Sequence, residues 1–254
     1  MRRKKTYLLI KPKKICAGCE KYRLKMTKEH FFPRWLIERS GTGKTGIKWI
    51  GNKNISPNAA TVPLCLKCNS DFGKELEAPV SQIFNDLENN RGINDEEAEL
   101  LIRWLWKFEG LAWVYFHPND KYSKTYTLAE RILQPIDQIR GSLVLAIGII
   151  EKIDPKFGDA PMGIDSYNIH NAIFVAGVFL NIAIMVLLSE FEHLVPSEFS
   201  KYCLAEKPGK LVDAKLFFPK VGFRDCTEAV TKTSIVAKIL SKLHEDFFLE
   251  RMKI

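Results

Sequence analysis

Acidic residues are scarce in the first third of this chain: residues 1 to 77 hold 6 Asp and Glu against 18 Lys and Arg, a local balance of +12. Residues 78 to 254 hold 24 against 20, a balance of −4, so the whole net charge of +8 belongs to the N-terminal segment. That asymmetry suits a polyanion-binding module joined to a neutral or acidic partner domain. Cysteine is also sparse, six in 254 residues, with four in C-x-x-C pairs and two, Cys203 and Cys226, scattered. This excludes a disulfide framework and predicts a reducing compartment, the cytoplasm. Long apolar runs are nearly missing. The N-terminus is basic, but its apolar stretch, residues 7 to 10, is too short for a signal-peptide core and reads as a first strand. Residues 172 to 188 are almost wholly apolar, yet fall short of the roughly 20 a spanning helix needs and are rich in β-branched and aromatic side chains. They predict buried strands, with Gly177 at a bend or bulge, and no membrane segment. Internal repeats and low-complexity tracts are absent.

Two cysteine pairs, Cys16-x-x-Cys19 and Cys65-x-x-Cys68, organise what is there. Four thiolates at this spacing predict one tetrahedral zinc site, for which the intervening segment must fold back on itself. Glu29, His30 and Pro33 lie inside that closed loop, and Asn69 follows the second pair. Residues 40 to 46, rich in glycine and threonine, predict a flexible loop whose tip can touch nucleic acid. The Gly41-Thr42-Gly43-Lys44-Thr45 run is no P-loop, because the first glycine is missing at the required spacing.

Further elements follow from local chemistry. Residues 47 to 50 read as a short strand and 51 to 57 as a turn. Asn69, Ser70 and Asp71 are good caps, so Asn69 is expected at or just before a helix N-terminus, and the apolar spacing continues past Pro79. The break at residues 89 to 93 divides an N-terminal module, 1 to 90, from a second α+β domain, 91 to 254. In the second part, Asn94 and Glu97 form a capping box before a helix with one apolar face through Leu101, Trp104, Phe108 and Leu111. A helix is expected from Thr127, bent or restarted at Pro135, then a buried strand over 143 to 150. A loop over 154 to 165, one or two strands over 169 to 188 and an amphipathic helix over 227 to 252 complete the chain.

The central segment offers one carboxylate, one imidazole and one carboxamide beside the zinc. A hard divalent cation takes oxygen ligands, which Glu29 and Asn69 supply, while neutral His30 can accept a proton from water. Phosphodiester hydrolysis uses these parts. Arg34, Lys67 and Lys74 are candidate phosphate contacts.

Over residues 14 to 77 the chain resembles the HNH endonuclease family in its zinc-knuckle form. The match rests on C-x-x-C, then Glu29-His30-x-x-Pro33, Asn58, and Leu64-Cys65-x-x-Cys68-Asn69. The resemblance implies a ββα-metal fold, with His30 as general base, and Glu29 and Asn69 holding a catalytic Mg2+ or Mn2+. It implies Asn58 as the asparagine that orients the catalytic loop, with Asn52 and Asn54 the alternatives. The four cysteines would hold structural Zn2+, and the substrate would be DNA, with RNA the alternative. Glu29 stands where the family usually has aspartate, and Asn69 where many members have histidine. Without catalysis, the same residues describe a zinc-stabilised nucleic-acid-binding protein. The C-terminal domain is a candidate surface for an oligomer mate or protein partner.

Overall fold

The computed structural model describes residues 15–48, 54–117, 122–123, 125–137, 139–152, 162–166, 174–206 and 216–251. The expected strand at residues 7 to 10 and the alternative Asn52 lie outside them. The described chain is mixed α+β, in agreement with the fold class read from sequence.

The N-terminal part begins with the first cysteine pair and β1 (Met26–His30), which pairs antiparallel with β4 (Thr61–Cys65), Met26 opposite Cys65 and His30 opposite Thr61. Between them come α1 (Arg34–Ser40), the single turn α2 (Thr42–Thr45), and the short strands β2 (Ile47–Lys48) and β3 (Asn54–Ile55), paired with each other. The expected flexible loop at 40 to 46 is therefore helical at its centre. Gly41, at φ 69°, ends α1 and starts α2, a left-handed position glycine takes without strain. Ser40 and Thr42 are buried and share a hydroxyl hydrogen bond of 2.7 Å.

Helix α3 (Leu66–Phe72) starts earlier than the caps suggested. Cys65 is its N-cap and its sulfur accepts from the Cys68 amide, so Asn69 sits inside the first turn. A π turn, Gly73–Glu77, leads into α4 (Ala78–Glu88). The cause is Pro79, which has no N–H and whose ring would collide with a carbonyl one helical turn back. The wider turn, closed by the Ala78 amide on the Gly73 carbonyl, relieves this and leaves Leu76 and Glu77 buried.

Helix α5 (Asp95–Phe116) opens on the expected capping box: the Glu97 amide donates to Asn94 Oδ1 at 2.9 Å, and the Asn94 amide to Glu97 Oε2 at 2.8 Å. It departs from a one-faced helix, because Ile102, Trp106, Lys107 and Glu109 are buried as well as Leu101, Trp104 and Phe108. It is the central pillar of the molecule. Helix α6 (Leu128–Leu133), capped by Thr127, stops before Pro135, and among the described residues only a 3-10 turn, Arg140–Ser142, follows before the sheet.

The sheet of the C-terminal part contains β5 (Leu143–Lys152), β6 (Met162–Ser166), β7 (Val175–Phe179), β8 (Ile182–Leu188), β9 (Ser200–Cys203) and β10 (Val221–Asp225). Its order is β10-β5-β8-β7-β6, with β9 and β10 sharing the far edge of β5 and β10 running parallel to it. Strand β6 occupies part of the expected loop at 154 to 165. The apolar stretch is the β7–β8 hairpin, and Gly177 pairs in regular register with Ile164 and Ile184, without a bulge. No described helix is long and apolar enough to cross a membrane.

Both faces of the sheet are covered, which explains why β5, β7 and β8 read as continuous apolar runs. Leu145, Ile147, Val175, Phe179 and Ile184 join the core around α5, and the alternate residues Val144, Ala146, Ala176, Val178 and Met185 join a second core under α7 (Cys226–Arg251). The first core runs unbroken from Cys16 through α4 and α5 to the sheet. Phe179 packs its ring 5.0 Å from Trp104 and 5.3 Å from Phe108.

Candidate nuclease and metal site

The first cysteine pair forms a tight knuckle. The Glu20 amide donates to the Cys16 carbonyl at 2.8 Å with Glu20 at φ 53°, and the Ala17 amide donates to the Pro63 carbonyl at 2.8 Å. That second bond fastens the knuckle to β4, whose last residue is Cys65. Gly18 lies under the second pair: a Cβ there would come within 3.1 Å of Cys68 Sγ. The sulfurs of Cys16, Cys19, Cys65 and Cys68 consequently lie within 4.8 Å of one another, and none is in a disulfide. Tetrahedral zinc, with Zn–S bonds of about 2.3 Å, sets its sulfurs about 3.8 Å apart, so the cluster fits the ion. The Cys65 amide donates to Cys16 Sγ at 3.2 Å. A hydrogen bond from Cys68 pulls the Cys16 thiol down to about 4 against the effect of burial, and Cys68, giving that bond, is pushed up. Four cysteines placed this way can hold a metal ion such as zinc.

The clamp sets β1 against β4 and α3, which gives a ββα arrangement. His30, the last residue of β1, opens onto a cavity of about 530 Å3 lined by Arg34, Glu38, Gly43, Lys44 and Asn58 among others. Pro33 starts α1, its carbonyl accepting from the Leu36 amide at 3.0 Å, and so points Arg34 and Glu38 along one wall. Arg34 Nε donates to Glu38 Oε1 at 2.8 Å, an exposed pair of small energetic weight that a phosphate can displace. Asn58 sits on a 3-10 turn, Pro57–Ala59, just before β4. His30 and Asn58, distant in sequence, thus meet on one wall-to-wall surface with two cations.

Glu29 does not share that cavity. Neighbouring strand residues face opposite ways, and its side chain turns inward to α5, where Glu29 Oε1 accepts from Lys107 Nζ at 2.5 Å. Lys107 is buried and also bonds Glu77 Oε1. Glu77 Oε2 accepts from the indole N–H groups of Trp35 at 3.0 Å and Trp104 at 3.2 Å. Burial disfavours the Lys107 cation, but the charges of Glu77 and Glu29 reverse this and raise its pKa. Glu29 Oε2 has no polar partner among the described residues. Asn69, half-buried on α3, likewise makes no side-chain hydrogen bond among them. Among the described residues the four cysteines are the one group of three or more metal-ligating side chains, and Glu29 and Asn69 share no hydrogen bond.

Lys67 and Lys74 are exposed on the α3 side and pair with Asp71 at 2.6 Å and Glu75 at 2.9 Å. Of the other histidines, His117 stacks on Trp113 and His193 is at the surface. The sequence reading missed Lys107, Glu77 and Trp35. A signal was present for the first: Lys107 stands between Trp106 and Phe108 in a strongly apolar helix, where a cation requires a buried partner. Compared with protein families, with curated proteins and with solved structures, the chain has no match.

Proposed function

We propose that this protein is a zinc-stabilised, metal-dependent HNH-type endonuclease that hydrolyses phosphodiester bonds of DNA. The observation that carries the reading is the cavity at the end of the cysteine-clamped ββα frame, where His30 and Asn58 share a surface with Arg34 and Lys44. In this reading the phosphate backbone lies along Arg34 and Lys44, with Lys67 and Lys74 extending the basic track. His30 accepts the proton of the attacking water, and Asn58 holds the loop that orients it. Glu29 and Asn69 would hold Mg2+ or Mn2+, which would supply positive charge for the phosphate oxygens; this role requires Glu29 to leave Lys107 and turn to the side of β1 on which His30 lies. The four-cysteine zinc takes no chemical part; it holds β1 against α3.

The test is incubation of purified protein with supercoiled plasmid, and with single-stranded DNA and RNA, in Mg2+ or Mn2+, comparing wild type with His30→Ala. Cleavage by wild type that drops at least 100-fold in the variant supports the reading. Equal nicking by both, or none by either on any substrate, refutes it.

The Glu29–Lys107 ion pair favours one second reading, a non-catalytic zinc-stabilised nucleic-acid-binding module, since one carboxylate oxygen is already committed to a cation. Salt-sensitive DNA binding that is indifferent to Mg2+ and to His30→Ala would distinguish it.

A further inference from the structure

We propose that the outer surface of the first cysteine knuckle is a second nucleic-acid contact, built to take an unpaired strand: Tyr22 and Leu24 stack on its bases while Lys21, Arg23 and Lys25 follow its phosphates. This rests on the nucleic-acid reading above, with or without cleavage. The five residues are consecutive and all exposed, so that three cations alternate with two large apolar side chains, Tyr22 at 62% and Leu24 at 78% exposure. Among the described residues none of the three cations is in an ion pair. Glu20, the acid just before them, is committed elsewhere, its Oε1 accepting from the Tyr122 amide at 3.0 Å.

The backbone under this stretch is fixed by the knuckle. The Cys16 amide donates to the Lys21 carbonyl at 3.1 Å, and Ile15 and Tyr22 form a β-bridge. Ile15 and Leu66, both exposed, are chain neighbours of Cys16 and Cys65, which are joined by the Cys65 amide on Cys16 Sγ, so both border the same knuckle. Met26 then opens β1 at the end away from His30, about 13 Å along the strand at about 3.3 Å per residue. One nucleic-acid strand can therefore reach from the knuckle to the cavity. The charge selects the occupant: Lys21, Arg23, Lys25 and Lys28 stand in residues 21–28 without an acid, a complement to a polyanion. The apolar groups select its form. A duplex offers phosphates but keeps its base faces stacked inside, whereas an unpaired strand presents them to aromatic and aliphatic side chains set between cations. The substrate class is accordingly a nucleic acid with a single-stranded segment beside the phosphate that reaches His30.

The test is fluorescence anisotropy of labelled oligothymidylate, and of its duplex with oligoadenylate, titrated with zinc-loaded protein without added Mg2+ or Mn2+. Wild type is compared with Tyr22→Ala, Tyr22→Trp and the triple variant Lys21→Ala, Arg23→Ala, Lys25→Ala, with zinc content and thermal midpoint measured on each. The substituted side chains are exposed, so zinc and fold should be kept. Tyr22→Ala should bind the single strand at least about 5-fold more weakly and the duplex nearly as wild type does, with the single-strand affinity restored in Tyr22→Trp. The triple variant should lower the slope of log affinity against log salt on the single strand by about 2, at about 0.7 for each phosphate contact. Wild type that binds the single strand while Tyr22→Ala and the triple variant bind it as tightly overturns the proposal, and so does an equal loss on single strand and duplex in Tyr22→Ala. Sedimentation with vesicles of equal phosphatidylserine and phosphatidylcholine tests the other anionic surface: vesicle binding that is lost in these variants while oligonucleotide binding persists overturns it as well. Wild type that binds neither oligonucleotide ends the nucleic-acid reading itself, and this proposal with it.

Discussion

Replacing Glu77 with alanine should be among the most damaging single substitutions outside the four-cysteine cluster. The side chain is the shared acceptor for the Trp104 and Trp35 indoles and for Lys107. Trp104 is fully buried, so its orphaned N–H costs about 1–3 kcal/mol. Trp35 is half-buried, and water can replace its lost partner at little cost. Breaking a buried ion pair costs about 3–5 kcal/mol when the surviving charge is stranded, but Lys107 retains Glu29, which places its share below that range. These terms share one acceptor and do not add, so a total of about 4 kcal/mol is expected. For a chain of this size that lowers the thermal midpoint by roughly 8–16 °C. Urea and thermal unfolding of zinc-loaded protein, followed by tryptophan fluorescence, would measure it. Glu77→Gln, which keeps an acceptor but loses the charge, should cost about half as much. A Glu77→Ala protein within about 1 kcal/mol of wild type would refute the claim that this carboxylate is the hub of the network.

Three further outcomes follow. Removal of zinc by a chelator should accelerate amide exchange well beyond the knuckles, into α6, because the Ala129 amide donates to the Gly18 carbonyl at 2.9 Å and the Tyr122 amide to Glu20 at 3.0 Å; unchanged exchange across residues 125 to 133 would contradict this coupling. Each of Arg34→Ala and Lys44→Ala should weaken DNA binding without much regard to sequence and reduce the slope of log affinity against log salt by about one, measured by fluorescence anisotropy. The Lys107 pKa is raised in the folded state, so the stability its ion pairs contribute is complete below the unfolded lysine value of about 10.4 and is lost as pH rises through the folded value. Wild type should therefore lose more stability than Lys107→Met in alkaline urea titrations, and parallel curves would contradict it.

What was legible in the sequence was legible for local reasons. A C-x-x-C pair, an Asn94 to Glu97 capping box and an apolar stretch shorter than a membrane span each carry their meaning within a few residues, and the four-cysteine cluster, α5 and the β7–β8 hairpin follow from them. Helix α2 was hidden because its glycines signal a loop while also supplying the left-handed junction that lets a single turn form. The start of α3 was misplaced because Asn69 caps well in isolation, whereas the cysteine sulfur, held by the cluster, performs the capping. The Glu29–Lys107–Glu77 network had no local signature, since its members come from β1, α5 and the π turn and meet only after the core has closed. Spacing could mark His30 as a candidate base, but it could not reveal which way Glu29 turns, because that depends on a cation 78 residues away.

The measurement that tests the central claim most directly is anomalous diffraction from crystals of the zinc-loaded protein soaked in Mn2+, with data collected at both metal edges. The account predicts a zinc peak among the sulfurs of Cys16, Cys19, Cys65 and Cys68, and a separate manganese peak against the Glu29 carboxylate and the Asn69 carboxamide, on the side of β1 that carries His30. A zinc peak alone, with Glu29 free of metal at saturating Mn2+, would contradict it.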